Sequence, residues 1–165
     1  MTALGFDTRS LKMVHAAWRE APSGDLTMLV GEHRAEFIGP SWLRLSAPRL
    51  LAGAGLRGWH GKAFHEPASD SPDRLSGANL LRRRSGMVRS GDMCASIEES
   101  EIDGRPAIVV RYAEDSRWPW PGVTDHFRPV GEDVLLGLTR GLPMSPRGGA
   151  PFLVHRTSLP AQRPD

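Results

Sequence analysis

The chain has 165 residues, 39% of them hydrophobic and 24% charged, which fits one domain with a single core, and its 18 Gly and 14 Pro leave little room for long helices and favour β structure. No apolar run approaches the roughly 20 residues that span a bilayer, no apolar signal core follows the start, and the lone Cys94 excludes an internal disulfide, so a reducing, cytoplasmic setting is expected. The formal charge is only +2; its one local concentration, Arg82, Arg83, Arg84 and Arg89, has no interleaved aromatic residue to stack on bases, which reads as a solvated loop and disfavours nucleic acid as a partner.

Ser10 to Glu20 reads as a helix, because Leu11, Val14, His15 and Trp18 recur at the spacing of one helical face. Ser10 suits its cap, and Pro22-Ser23-Gly24-Asp25 stops it. Leu26 to Val30, Glu36 to Ile38 and Trp42 to Leu45 are short runs broken by Gly31, Gly39-Pro40 and Pro48, which read as strand fragments or an opening loop. In Gly58 to Phe64, strict alternation puts Trp59, Gly61 and Ala63 on one face and His60, Lys62 and Phe64 on the other. His65 to Gly77 is polar and proline-rich, a surface loop long enough to be a lid or a crossing connection.

Met87 to Glu101 and Ala107 to Tyr112 flank Ile102-Asp103-Gly104-Arg105, a strong hairpin signal, with Ile108, Val110 and Tyr112 on one face. Trp118-Pro119-Trp120-Pro121-Gly122 is too rigid for a ladder interior, so it reads as a connection whose indoles cover an edge or end of the sheet. Thr124 to Thr139 forms a second hairpin turning at Gly131-Glu132-Asp133, with His126 and Arg128 on one face and Asp125 and Phe127 on the other. A loop from Gly141 to Pro151, a last strand at Phe152 to Arg156 and a disordered tail over 158–165 complete the pass. The fold class expected is mainly β: an antiparallel barrel or half-barrel with one N-terminal helix, a single domain over 1–157, closed because closure removes exposed strand edges.

Neighbouring Asp125 and His126 point to opposite faces, so they cannot work as an acid-base pair, and no catalytic residue is expected. If His126 and Arg128 face the interior they can bind an anionic head group, with Lys62 adding a second charge. Candidate wall residues are Trp59, Phe64, Val110, Tyr112, Phe127 and Leu136; Phe127 lies opposite His126, so one of that pair fails unless a bulge intervenes. His33, His60, His65, His126 and His155 are scattered without metal-site spacing, so no metal is expected. Phe152-Leu153-Val154-His155 puts one imidazole on an apolar last strand, which keeps haem with His155 as axial ligand as an alternative cofactor.

Five segments occur together in order: Leu29-Val30-Gly31-Glu32-His33-Arg34-Ala35, Gly58-Trp59-His60-Gly61-Lys62-Ala63-Phe64, Gly104-Arg105-Pro106-Ala107, Asp125-His126-Phe127-Arg128 and Val134-Leu135-Leu136-Gly137-Leu138. Over about residues 26 to 156 the chain thereby resembles the bacterial GXWXG-domain proteins with their companion domain of unknown function. It departs at the name-giving motif, where His33 replaces tryptophan and Ala35 the final glycine. The resemblance implies a lipocalin-like barrel that carries or senses an apolar ligand, and no catalytic activity.

These readings converge on a carrier or sensor that binds an apolar or amphipathic small molecule such as a lipid, with Trp59, Lys62, Phe64, Tyr112, His126 and Arg128 as ligand contacts. Two rivals remain: a hydrolase or isomerase with His126 as base, and an interaction module with Trp118 and Trp120 as anchors. The sequence leaves the oligomeric state open.

Overall fold

The computed structural model describes residues 4–158. Eight strands, β1 (Gly31–Phe37), β2 (Trp59–Phe64), β3 (Leu75–Arg83), β4 (Gly86–Glu99), β5 (Pro106–Tyr112), β6 (Thr124–Gly131), β7 (Val134–Arg140) and β8 (Ala150–Ser158), run each antiparallel to the next. β8 pairs back onto β1 through Phe37↔Phe152 and Ala35↔Val154, so the barrel closes and, among the described residues, no strand edge is left unpaired. The expected mainly β, antiparallel barrel is what forms. The terminal strand runs on to Ser158; the rest of the tail lies outside the described residues.

Alternation along the strands creates two apolar layers. Inside, Phe64, Leu75, Ala95, Ile108, Phe127, Leu135 and Val154 fill one end of the barrel. That end is stoppered by Leu29 of a single 3-10 turn, Leu26–Leu29, and by Val30 just after it; Asp25 caps the turn by accepting from the Thr27 amide at 2.8 Å. Gly137 permits the packing, since a Cβ there would stand 2.5 Å from the Phe152 ring and the Phe127 and Phe152 rings meet edge-on at 5.4 Å. Outside, helix α1 (Leu11–Glu20), capped by Ser10, lays Val14 and Trp18 against Leu136, Leu138 and Leu153. Each such buried side chain contributes about 1.5–3 kcal/mol of transfer free energy.

The structure departs from the sequence reading at Ser41–Leu51, which is a second helix, α2, rather than strand or loop. Leu43, Ala47, Leu50, Leu51 and Ala54 face one cavity at helical spacing, but Trp42 and Leu45 stand in solvent on the other side, which hid the period. The 65–74 connection joins β2 to β3 at the stoppered end, so it is not a lid for the cavity, which lies at the other end. Among the described residues no helix is long and apolar enough to cross a membrane.

Candidate functional site

The end of the barrel away from the stopper is hollow. A cavity of about 320 Å³ lies beneath α2 and the 113–123 and 141–149 connections, walled by Phe37, Leu43, Leu56, Trp59, Trp120 and Phe152 and floored by Lys62, Tyr112, Asp125 and Thr139. Trp120 is fixed there because its Nε1 donates to Ala54 O at 2.7 Å and its ring lies 4.8 Å from that of Tyr112.

Local irregularity in β2 assembles the floor. Its register passes from Trp59↔Leu81 to Gly61↔Leu80, so two residues of β2 face one of β3, and the bulge turns Trp59 onto the same inner face as Lys62. Gly61 is obligatory at this point: a Cβ would lie 1.8 Å from the His33 carbonyl oxygen of β1. On β6, pairing of Asp125 with Val110 and Thr139 sends its carboxylate inward.

Lys62 and Asp125 form an ion pair of 2.9 Å, with both side chains almost wholly buried. Lys62 Nζ also donates to Tyr112 Oη at 2.8 Å and to Asn79 Oδ1 at 3.2 Å. Tyr112 Oη donates to Asp125 Oδ2 at 3.3 Å and Thr139 Oγ1 to Asp125 Oδ1 at 2.6 Å. Trp59 Nε1 donates to Asn79 Oδ1 at 3.0 Å; because Trp59 and Lys62 can only donate, the oxygen of Asn79 must be the atom between them. Asn79 Nδ2 has no partner among the described residues and is turned toward Gly91 of β4 rather than the cavity.

Burial alone would depress the Lys62 ammonium, but attraction to Asp125 and the hydrogen bonds around it outweigh desolvation and hold its pKa above the ordinary value. Lys62 is therefore a resident cation and not a free amine. Burial, reinforced by Asp125 and opposed by Lys62, pushes the Tyr112 phenol up to about 12. Tyr112 is the only tyrosine, so the phenolate absorbance of the folded protein reports it alone. The expected midpoint is near pH 12, and a midpoint at the ordinary value of about 10 would mean that water reaches this network.

Among the sequence-nominated residues, Trp59, Lys62 and Tyr112 meet in the cavity, and Phe64 points inward but belongs to the packed end. His126 and Arg128 do not join them. They lie on the outer wall, because alternation gives the interior to Asp125 and Phe127. His126 is enclosed there by Ser100 Oγ at 3.1 Å and Thr124 Oγ1 at 3.0 Å, and burial lowers its pKa. Arg128 pairs with Asp103 at 2.6 Å. Leu136, nominated for the wall, packs under α1. His155 also points outward, with Nε2 2.7 Å from Glu36 Oε2, so it cannot serve as an axial ligand to haem inside the barrel. Trp118 and Trp120 divide, one exposed and one buried.

Asp125, Asn79 and Thr139 are the site residues missed from sequence. Asp125 shares the face of Phe127, a nominated wall residue, and that parity was the available signal. Asn79 and Thr139 carry no signal of their own. His33 lies inside as well, its Nε2 3.2 Å from Met28 O and its pKa lowered by burial. Among the described residues no three His, Cys, Asp or Glu side chains gather as a metal site.

No model of a known protein family matches the chain, and no curated protein matches it. A solved structure, described as the crystal structure of a protein from Thermomonospora curvata, is similar at a TM-score of 0.62 and 17% identity, covering 92% of this chain and 90% of that one. That likeness is one of fold.

Proposed function

We propose that the protein is a carrier or sensor of a neutral amphipathic small molecule, whose apolar body fills the barrel cavity and whose polar head donates a hydrogen bond to the floor. The observation that supports this most is the state of the donors around the Lys62–Asp125 pair. The three N–H groups of Lys62 are committed to Asp125, Tyr112 and Asn79, and the Tyr112 and Thr139 hydroxyls to Asp125. What remains on the floor is acceptor capacity on Asp125, Thr139 and Tyr112. A hydroxyl or amide N–H satisfies it; a carboxylate head placed at the floor finds no free donor among these groups and meets Asp125 head-on.

At roughly 30 Å³ per water-sized group, the cavity suits a ligand of about ten non-hydrogen atoms. The resemblance of the 58–64 and 125–138 segments to GXWXG-domain proteins, with the apolar carrier it implies, favours the same reading. A hydrolase or isomerase has less support, since His126 lies outside the cavity and Lys62, ion-paired with Asp125, offers no free amine as a nucleophile.

Titration calorimetry with octan-1-ol and octanoate tests the proposal. Octan-1-ol is expected to bind at least about tenfold more tightly, a difference of about 1.4 kcal/mol. In Asp125→Asn the order should invert, because octanoate then supplies the counter-charge that Lys62 has lost. Equal or tighter binding of octanoate to the wild type sinks the donor-head reading, and failure of both to bind sinks the carrier.

A further inference from the structure

The cavity mouth carries an exposed apolar surface. Trp42 and Leu45 on α2, Leu50, Trp118 and Met144 are 58%, 67%, 46%, 76% and 85% exposed. Scattered exposed apolar residues are ordinary, but three of these five border the same cavity and the other two stand on α2 beside it, on one end of the barrel.

Charge is divided along the same axis. The connections at this end, 38–58, 113–123 and 141–149, and the β3–β4 hairpin tip, 82–88, hold eight arginines against Glu114 and Asp115, and all eight arginines are exposed. At the stoppered end the 22–30, 65–74 and 131–134 segments hold six acidic residues and one arginine. A net charge of only +2 thus conceals a basic, apolar mouth and an acidic base.

We propose that this mouth docks on an anionic lipid bilayer, with the base turned to solvent, so that ligand passes between membrane and cavity without crossing water. Arginines meet the phosphate and acidic head groups, tryptophans sit at head-group depth, and Leu45, Leu50 and Met144 enter the acyl boundary. The aliphatic residues decide against nucleic acid: Trp42 and Trp118 could stack on bases, but leucine and methionine side chains gain nothing from a polyanion without hydrocarbon. The acidic base orients the molecule, since it is repelled by the surface that attracts the mouth.

Vesicle co-sedimentation of the full chain, without added ligand, tests the docking separately from the cavity, which octan-1-ol tests in solution. Vesicles with a quarter phosphatidylglycerol in phosphatidylcholine should retain the protein at low salt, release it at high salt, and exceed pure phosphatidylcholine by more than about 25-fold, at about fivefold per arginine. Arg57→Gln with Arg117→Gln should lower partition about 25-fold, and Trp42→Ser with Trp118→Ser should lower it with the charge unchanged. Both pairs are exposed, and an unaltered unfolding midpoint identifies a folded variant. Equal retention by neutral vesicles, no retention by either, or tighter binding of a single-stranded oligonucleotide than of the anionic vesicles would overturn the proposal.

Discussion

Asp125→Ala is expected to destabilise the protein by about 3–5 kcal/mol, because it leaves the Lys62 ammonium buried without its counter-charge. Lys62 is 1% exposed, and its remaining partners, the Tyr112 hydroxyl and the Asn79 oxygen, are neutral dipoles that solvate a cation only in part. The double variant Lys62→Met with Asp125→Leu should recover most of that loss, since a buried pair replaced by apolar side chains of similar volume is often neutral or better. Urea unfolding of the wild type and of both variants checks this. A single variant within about 1 kcal/mol of the wild type would mean that water enters to solvate Lys62. Recovery in the double variant together with loss of octan-1-ol binding would locate the value of the pair in recognition rather than stability.

The same network makes stability fall in alkali. Lys62 has a folded pKa raised above its unfolded value, so its contribution is complete below about pH 10.4 and is lost as pH rises through the folded value. Tyr112, raised to about 12, acts in the same direction from about pH 10. The unfolding free energy should therefore decline beyond pH 10 and more gently in the Lys62→Met/Asp125→Leu variant, which retains only the tyrosine contribution.

The strand segments were legible because period-two alternation and the Asp103-Gly104 turn are local signals, and closure follows from having several such strands with no protected edge. What could not be read was decided by one extra residue or by what covers a face. The β2 bulge carries Trp59 onto the face of Lys62, and nothing in Trp59-His60-Gly61-Lys62 announces it apart from the glycine that brings β1 close. On β6 the alternation is legible, but it leaves open whether His126 and Arg128 or Asp125 and Phe127 face inward. Polar groups on a strand suggest an interior site, yet α1 and the 100–105 turn bury the outer face that His126 and Arg128 occupy. A polar residue covered from outside and one lining a cavity look alike in sequence. α2 is concealed by Trp42 and Leu45, apolar residues on its solvent side that blur the helical period.

Arg128 gives the second large effect, and it separates the two faces of β6 experimentally. Its side chain is fully buried, and its guanidinium donates to both Asp103 oxygens at 2.6 and 2.9 Å, to Trp18 O and Arg105 O at 3.1 Å each and to Pro106 O at 3.3 Å, while stacking 4.2 Å over the Trp18 ring. It thus joins β6, the β4–β5 turn and the C-terminal end of α1, where a cation also meets the negative end of the helix dipole. Arg105 reinforces this by donating to Arg19 O and Ala21 O. Arg128→Ala should cost about 3–5 kcal/mol, the loss expected when one partner of a buried, hydrogen-bonded charge pair is removed. Arg128→Lys should restore little, because an ammonium cannot span the forked carboxylate and stack on the indole together. Hydrogen exchange should quicken first in α1 and in 100–105, the elements that this side chain ties down. Octan-1-ol affinity and its preference over octanoate should persist in the folded fraction of Arg128→Lys, since the cavity lies on the other side of the wall. A changed preference would return Arg128 to the ligand site and contradict the outward placement of its side chain.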